Sequence, residues 1–79
     1  MLVRVKLYGW LRDFTGGEGD KQVELPPGAL VADLLSTLGI PAQVVGMVNV
    51  NGQHAETRDA LGEGDTVYVL PHLAGGCVP

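Results

Sequence analysis

The sequence predicts an α+β fold in which one helix packs on a mixed β-sheet of four or five strands. Apolar and polar residues alternate in segments near both ends of the chain, and between them apolar residues recur at helical spacing. A chain of 79 residues, 46% of them hydrophobic, has room for one domain with a single small core. The helix can bury its apolar stripe only against the sheet.

Two strands are predicted in the N-terminal third. In residues 2–8, apolar and polar side chains alternate, as in a strand with one face in the core. The inward positions are Val3, Val5 and Leu7, and the outward positions are Arg4, Lys6 and Tyr8. Residues 9–20 end in turn residues and predict a loop. Residues 21–25 predict a second strand, antiparallel to the first.

One helix is predicted over residues 30–38. Its apolar stripe consists of Val31, Leu34, Leu35 and Leu38. Asp33 would lie in the first turn, where a carboxylate interacts favourably with the helix dipole. Gly39 would cap the C-terminus, and Pro41 would prevent the helix from continuing. Gly28 is the one nearby candidate for the N-terminal cap.

A turn, a strand and a hairpin are predicted after the helix. Residues 41–45 predict the turn, and residues 46–50 predict the third strand. The pair Asn51-Gly52 is a strong hairpin signal, so residues 53–55 are expected to return as a short edge strand.

The last part of the domain predicts an irregular segment and a final strand. Residues 56–65 are irregular, with a helical turn expected around Asp59–Leu61, and residues 66–70 form the strand. In this strand Val67 and Val69 point inward, and Tyr68 and Leu70 point outward. The complete order of elements is that of a β-grasp, the ubiquitin-like fold. The predicted core includes Val5, Leu34, Leu38, Val48 and Val67.

Composition narrows the classes of partner. A net charge of −4 argues against nucleic acid and against an anionic membrane surface. The charges at Arg4 and Lys6 interrupt the apolar run that a signal peptide needs, and the longest apolar run is too short to span a bilayer. The single cysteine permits no internal disulfide. We therefore expect a cytoplasmic protein.

No active site is predicted in the body of the domain. The tetrapeptide GEGD occurs at residues 17–20 and 62–65, and both copies predict turns rather than calcium or phosphate loops. His54 and His72 lack a partner at metal-ligand spacing, so no metal site is expected.

Apolar side chains at outward strand positions predict a docking surface for a partner protein. They should lie on the sheet face opposite the helix, close to the tail, unless a longer loop covers them. The candidate docking residues are Tyr8, Tyr68, Leu70 and Pro71. Trp10 and Phe14 flank the first loop, where they either pack along an edge or contact a partner.

The chain ends in a segment with an adjacent glycine pair. Pro71 is expected to stop sheet pairing, so the domain spans residues 1–71 and residues 72–79 form a flexible tail. The pair Gly75-Gly76 has no side chains, so it could pass through a narrow slot in another protein. Such a tail suits delivery of a terminal carboxylate into a partner's active site.

Several segments resemble the MoaD/ThiS family, which contains the molybdopterin-synthase small subunits and the thiamine sulfur carriers. GEGDTVYVLPHLAGG resembles the family's C-terminal signature, VADLLSTLGI its helix, and VNVNGQ its third strand and turn. The first loop, YGWLRDFTGG, is more similar to the molybdopterin branch. The connection from helix to strand, GIPAQVVGMVNVNG, is more similar to the thiamine branch, so the branch stays open.

The resemblance implies a carrier rather than an enzyme. A partner of the ubiquitin-activating type would use ATP to adenylate the Gly76 carboxylate, with Ala74, Gly75 and Gly76 threaded into its active site. A sulfur donor would then displace AMP and leave a thiocarboxylate on Gly76. That group would pass sulfur to a biosynthetic enzyme, such as a molybdopterin synthase large subunit. The carrier itself would bind no cofactor. The final acceptor stays open among molybdopterin precursor, thiazole, cysteine, another thioacid and a protein lysine.

The departure from the family pattern is the extension Cys77-Val78-Pro79. While Gly76 is in an amide bond to Cys77, it has no carboxylate to adenylate. The resemblance implies that a JAMM-type zinc metallopeptidase removes the extension. In one alternative the extension stays and the domain is a ubiquitin-like binding module. In another, an N-to-S acyl shift at Cys77 forms a thioester. Cys77 could also be an inert exposed thiol, because no Lys or Arg is close in sequence to lower its pKa.

Overall fold

The computed structural model describes residues 1–71, so the predicted tail, residues 72–79, lies outside the described residues. Over residues 1–71 the fold consists of one α-helix, two 3-10 helices and five strands. The elements are β1 (Leu2–Leu7), a first 3-10 helix (Gly9–Thr15), β2 (Asp20–Glu24), α1 (Val31–Leu38), a second 3-10 helix (Ala42–Val44), β3 (Val45–Val50), β4 (Gln53–Ala55) and β5 (Thr66–Pro71).

The five strands form one mixed sheet in the order β2-β1-β5-β3-β4. The central pair, β1 and β5, is parallel, and the other neighbouring pairs are antiparallel. Together with the single α-helix, this order confirms the predicted β-grasp. Because β5 is the central strand, its last residue, Pro71, lies in the middle of the sheet and not at an edge.

One hydrophobic core joins the helix to one face of the sheet. Alternate residues of β1 and β5 are buried, as the period of two predicts. The helix contributes Val31, Leu34 and Leu35, while Leu38 is only partly buried at its last turn. The other predicted core positions, Val5, Val48 and Val67, are buried.

The ends of the helix confirm one predicted cap and correct the other. Gly39 has φ 75° and forms the expected left-handed C-terminal cap. Gly28 was the wrong candidate at the N-terminus, where the structure places the cap at Leu30. The Asp33 carboxylate accepts a hydrogen bond from the Leu30 N–H at 2.8 Å. The free N–H groups of the first turn donate to a distant segment, Val31 to the Asp59 carbonyl and Ala32 to the Thr57 carbonyl, both at 2.9 Å, so no polar side chain is needed before the helix.

Two segments predicted as irregular or helical fold differently. Within the predicted loop 9–20, a 3-10 helix buries one side chain, Leu11. No helical turn forms around Asp59–Leu61. Instead, a bridge pairs Leu30 with Ala60, and hydrogen bonds from Val31 and Leu61 flank it. Backbone pairing with the segment that precedes α1 takes the place of local helical bonds.

The hairpin at Asn51-Gly52 forms as predicted. Both residues have positive φ, 54° and 87°, which a two-residue hairpin turn of this kind requires. Gln53–Ala55 then returns as an edge strand. No helix in the described part of the chain is both long enough and apolar enough to cross a membrane.

Candidate docking face and tail exit

The sheet face opposite the helix, here called the outer face, carries the candidate docking residues. On β1 and β5 its positions alternate with the buried ones. The outer-face residues of these two strands are Leu2, Arg4, Lys6, Thr66, Tyr68 and Leu70. Leu2 and Arg4 are exposed, and the other four are half-buried.

An apolar cluster lies on the outer face at the end where β5 finishes. Tyr8 is 45% exposed and stacks on Tyr68 with a centroid distance of 6.4 Å and an interplanar angle of 16°. Leu70 lies opposite Met47 across the β3–β5 ladder. We call the four residues Tyr8, Met47, Tyr68 and Leu70 the outer patch. Exposed apolar side chains grouped in this way are typical of a surface that binds a partner.

Met47 is the member of the outer patch that the sequence analysis missed. Its side chain is 46% exposed. The alternation with Val48 and Val50 was the available signal, since an inward Val48 places Met47 on the outer face. Its position beside Leu70 follows from the antiparallel pairing of β3 with β5, which the sequence does not specify.

Pro71 does not stop sheet pairing, contrary to the prediction. It is the last residue of β5 and lies opposite Val45. The register of this ladder shifts between Val45 and Met47, which places an irregularity next to the proline. Because a bulge is one of the few positions that tolerates a residue without an N–H donor, Pro71 can remain in the strand.

The first 3-10 helix carries a second exposed aromatic pair. Trp10 is 47% exposed and Phe14 38%, and their ring centroids are 6.3 Å apart with a tilt of 48°. Leu11 between them is the residue that enters the core. Both rings are therefore partly exposed beside each other, and the two alternatives, edge packing and partner contact, stay open.

Charges are distributed unevenly between the outer face and the other surfaces. On the outer face Asp20 lies 3.6 Å from the Arg4 Nε and 3.9 Å from the Lys6 Nζ. Glu24 lies opposite Leu2 on the same face. These two acidic and two basic residues balance, so the net charge of −4 belongs to the other surfaces. The outer face therefore has little net charge with which to repel a charged partner.

The paired carboxylates in the second GEGD segment have structural partners. Asp65 accepts hydrogen bonds from the Gly62 N–H at 2.7 Å and from Asn51 Nδ2 at 2.9 Å. Glu63 accepts one from the Leu2 N–H at 3.2 Å. The second GEGD segment is a turn at Glu63 and Gly64, whereas in the first the turn is at Gly16 and Gly17 and Asp20 already begins β2. Among residues 1–71, no group of three or more His, Cys, Asp or Glu side chains is arranged to hold a metal ion.

The predicted chemistry of the tail falls on residues that the structure does not describe. These are the threading residues Ala74, Gly75 and Gly76 and the extension Cys77, Val78 and Pro79. Their roles stay predictions. The described chain brings the outer patch together with Pro71, from which the tail continues.

The comparison with protein-family models identifies one family. The model of the ThiS family matches residues 5–76. No curated protein sequence is significantly similar to the chain. Among solved structures, a Pyrococcus furiosus protein assigned as molybdopterin converting factor subunit 1 has 26% identity and a TM-score of 0.73, covering 90% of this chain and 97% of its own.

Two further structures show the same fold at lower identity. SAMP1 from Haloferax volcanii has 24% identity and a TM-score of 0.75, covering 96% of this chain and 100% of its own. The complex of subunits 1 and 2 of molybdopterin-converting factor from Helicobacter pylori contains a chain with 18% identity and a TM-score of 0.64. The match covers 90% of this chain and 93% of that one.

Proposed function

The chain belongs to the ThiS family, and from that premise we propose that it is a sulfur carrier whose reactive group is the Gly76 carboxylate. Cys77, Val78 and Pro79 form a pro-segment that is removed first. The observation that carries this proposal is the extent of the family match, which runs through Gly76 and leaves the last three residues outside it.

Adenylation makes the terminal glycine reactive. A free carboxylate is a poor electrophile, so a partner of the ubiquitin-activating type transfers AMP from ATP to a Gly76 oxygen and releases pyrophosphate. A sulfide sulfur then attacks the carbonyl carbon, and AMP leaves with the oxygen. If the donor is a persulfide, the same attack gives an acyl disulfide, and a thiol must then reduce its S–S bond to release the thiocarboxylate. The product is a thiocarboxylate. The carrier supplies the carboxylate and the docking surface, and its partners supply the catalysis.

Three partner proteins follow from this scheme. The first is the adenylating enzyme, which we place on the outer patch because that patch adjoins the strand end that leads to Gly76. The second accepts the sulfur. The Helicobacter pylori relative is a complex with a second molybdopterin-converting subunit, so we propose an equivalent large subunit as the first candidate. The third is a JAMM-type metallopeptidase that exposes Gly76. We propose that all three act in the cytoplasm.

A binding module without thiocarboxylate chemistry is the second candidate. The observation in its favour is that the outer patch and the pair Trp10 and Phe14 lie in the folded domain and include no residue of the extension. Both surfaces could therefore bind a partner whether or not the extension is removed.

The test is a reaction with a chain that ends at Gly76. It is incubated with ATP, a sulfide source and adenylating enzymes of the ubiquitin-activating type, one at a time. Intact-mass spectrometry should show oxygen replaced by sulfur. A Gly76→Ala variant of the same length is the control and should react poorly, because its methyl group must enter a slot shaped for backbone alone. No mass change with any enzyme would favour the binding module.

A further inference from the structure

Pro71, the last described residue, is held from two sides. Across the sheet it lies opposite Val45 of β3. On the other side, the Tyr8 N–H donates a hydrogen bond to the Val69 carbonyl at 3.2 Å, which extends the β1–β5 pairing past the end of β1. The next residue, Gly9, then faces the Pro71 ring. The strand end is therefore fixed between the start of β3 and the start of the first 3-10 helix.

A side chain on Gly9 would crowd the Pro71 ring. A Cβ on Gly9 would lie 3.0 Å from the Pro71 Cγ, so the ring would have to shift by a few tenths of an ångström. Gly9 also has φ +61°, in the left-handed region that favours glycine. Gly16 ends the same 3-10 helix with φ +71°, but a Cβ there would have nothing within 4 Å. The two glycines thus share backbone conformation, and only Gly9 touches the strand end.

We propose that Gly9 is a positioning residue for the tail. Because Gly9 has no side chain, the Pro71 ring can pack against its backbone, and this contact sets the direction in which the chain leaves β5. This inference rests on the proposed function, because the direction matters only if Gly76 must reach a partner's active site. Gly9 is one residue from Tyr8 of the outer patch. The same short segment therefore contacts the partner and orients the tail.

The short reach of the tail makes that direction important. Gly76 is five residues beyond Pro71, which allows at most about 18 Å of fully extended chain. Once the outer patch is bound, a tail that starts in the wrong direction has little length with which to correct it. A substitution of Gly9 that misdirects the tail should therefore lower kcat and leave the KM for the carrier unchanged, because the docking residues stay in place.

The first test needs no partner enzyme. Residual dipolar couplings of the backbone amides are measured on the aligned full-length chain. In the wild type, residues 72 and 73 should show couplings that differ clearly from zero. Gly9→Ala should change them, and Gly16→Ala, which introduces similar backbone strain, should not. Couplings of β2 and β4 should be the same in all three proteins, which shows that the fold is kept.

Two results of this measurement would overturn the proposal. One is wild-type couplings near zero at residues 72 and 73, since the strand end would then impose no direction. The other is identical couplings in wild type and Gly9→Ala. Should Gly9→Ala fail to fold, Pro71→Ala removes the same contact from the other side. It should then change the couplings of residues 72 and 73, and unchanged values would refute the proposal.

The second test uses the adenylation reaction of chains ending at Gly76. Gly9→Ala should lower kcat by about tenfold to a hundredfold at unchanged KM, and Gly16→Ala should match the wild type. In a Pro71→Ala background, where the ring is gone, Gly9→Ala should have little further effect. An equal loss in both backgrounds, or an equal loss from Gly16→Ala, would refute the role of the contact. A wild-type chain that does not react refutes the proposed function instead, and the couplings still decide the role of Gly9.

Discussion

The two ends of the sheet use their side chains in opposite ways. At the end where β5 begins, which we call the closed end, polar groups bond to one another within the domain. Asp65 joins Gly62 to Asn51, and Glu63 accepts from the Leu2 N–H. At the end where β5 finishes, which we call the exit end, the outer patch has two exposed members, Tyr8 and Met47, beside the half-buried Tyr68 and Leu70. Polar groups thus stabilise the closed end, while the exit end carries the surface that we propose partners bind.

Point substitutions at the two ends are therefore expected to have different effects. Substitutions in the core, or of the hydrogen-bonded polar groups at the closed end, should lower the free energy of unfolding. Substitutions at the exit end should leave that free energy nearly unchanged and weaken the reaction with a partner.

The largest loss of stability is expected from the core that both ends share. Leu34 is fully buried under the sheet, so Leu34→Ala should lower the free energy of unfolding by about 2–5 kcal/mol. That is a large part of the total for so small a domain. Urea unfolding followed by circular dichroism measures it. A loss below about 1 kcal/mol would mean that the helix is not packed as described.

At the closed end, Asp65→Ala should lower the free energy of unfolding by about 1–3 kcal/mol. The substitution leaves the Gly62 N–H and the Asn51 amide without their acceptor. Asp13→Ala is a matched control, because this exposed carboxylate has no hydrogen bond or ion pair among the contacts of residues 1–71. Equal stability of the two variants would remove the contrast between the ends.

At the exit end, Leu70→Asp should keep the native circular dichroism spectrum and raise the KM for the carrier in adenylation. A carboxylate at the centre of the outer patch would be desolvated when a partner binds. Unchanged adenylation kinetics would exclude the outer face from the interface.

Two matched substitutions on the outer face, one at each end of the sheet, compare the two ends directly. Met47 at the exit end is 46% exposed, and Leu2 at the closed end is 40% exposed. Both Met47→Asn and Leu2→Asn should change stability by less than about 1 kcal/mol, as is usual for surface sites. Only Met47→Asn should weaken binding to the adenylating enzyme, measured by titration calorimetry. Similar weakening by both would mean that the partner covers the whole face.

The sequence predicts those elements that are set by periodic burial. Alternation in β1 and β5 and the helical spacing of Val31, Leu34 and Leu35 led to the right sheet and helix because one core buries them all. The first 3-10 helix escaped prediction because it buries a single side chain, Leu11, which gives no period. The N-terminal end of the helix also escaped prediction, because the N–H groups of Val31 and Ala32 donate to carbonyls of the distant residues Asp59 and Thr57.

For the candidate site, the sequence predicts which residues face outward but not which of them meet. Tyr8, Tyr68 and Leu70 follow from alternation alone. Met47 and the pairing of Pro71 depend on the register of β3 with β5 and on its irregularity. A register is set by contacts between distant segments, so a single sequence leaves it open.

Pyrophosphate release during adenylation tests the proposed sulfur carrier most directly. The full-length chain is compared with the chain that ends at Gly76. Both are supplied with ATP and the same adenylating enzyme. We expect pyrophosphate release with the shorter chain only, because the Gly76 carboxylate exists only after Cys77, Val78 and Pro79 are removed. Adding a JAMM-type metallopeptidase to the full-length chain should restore pyrophosphate release. Equal release from both chains without the peptidase would contradict the proposed role of the extension as a pro-segment.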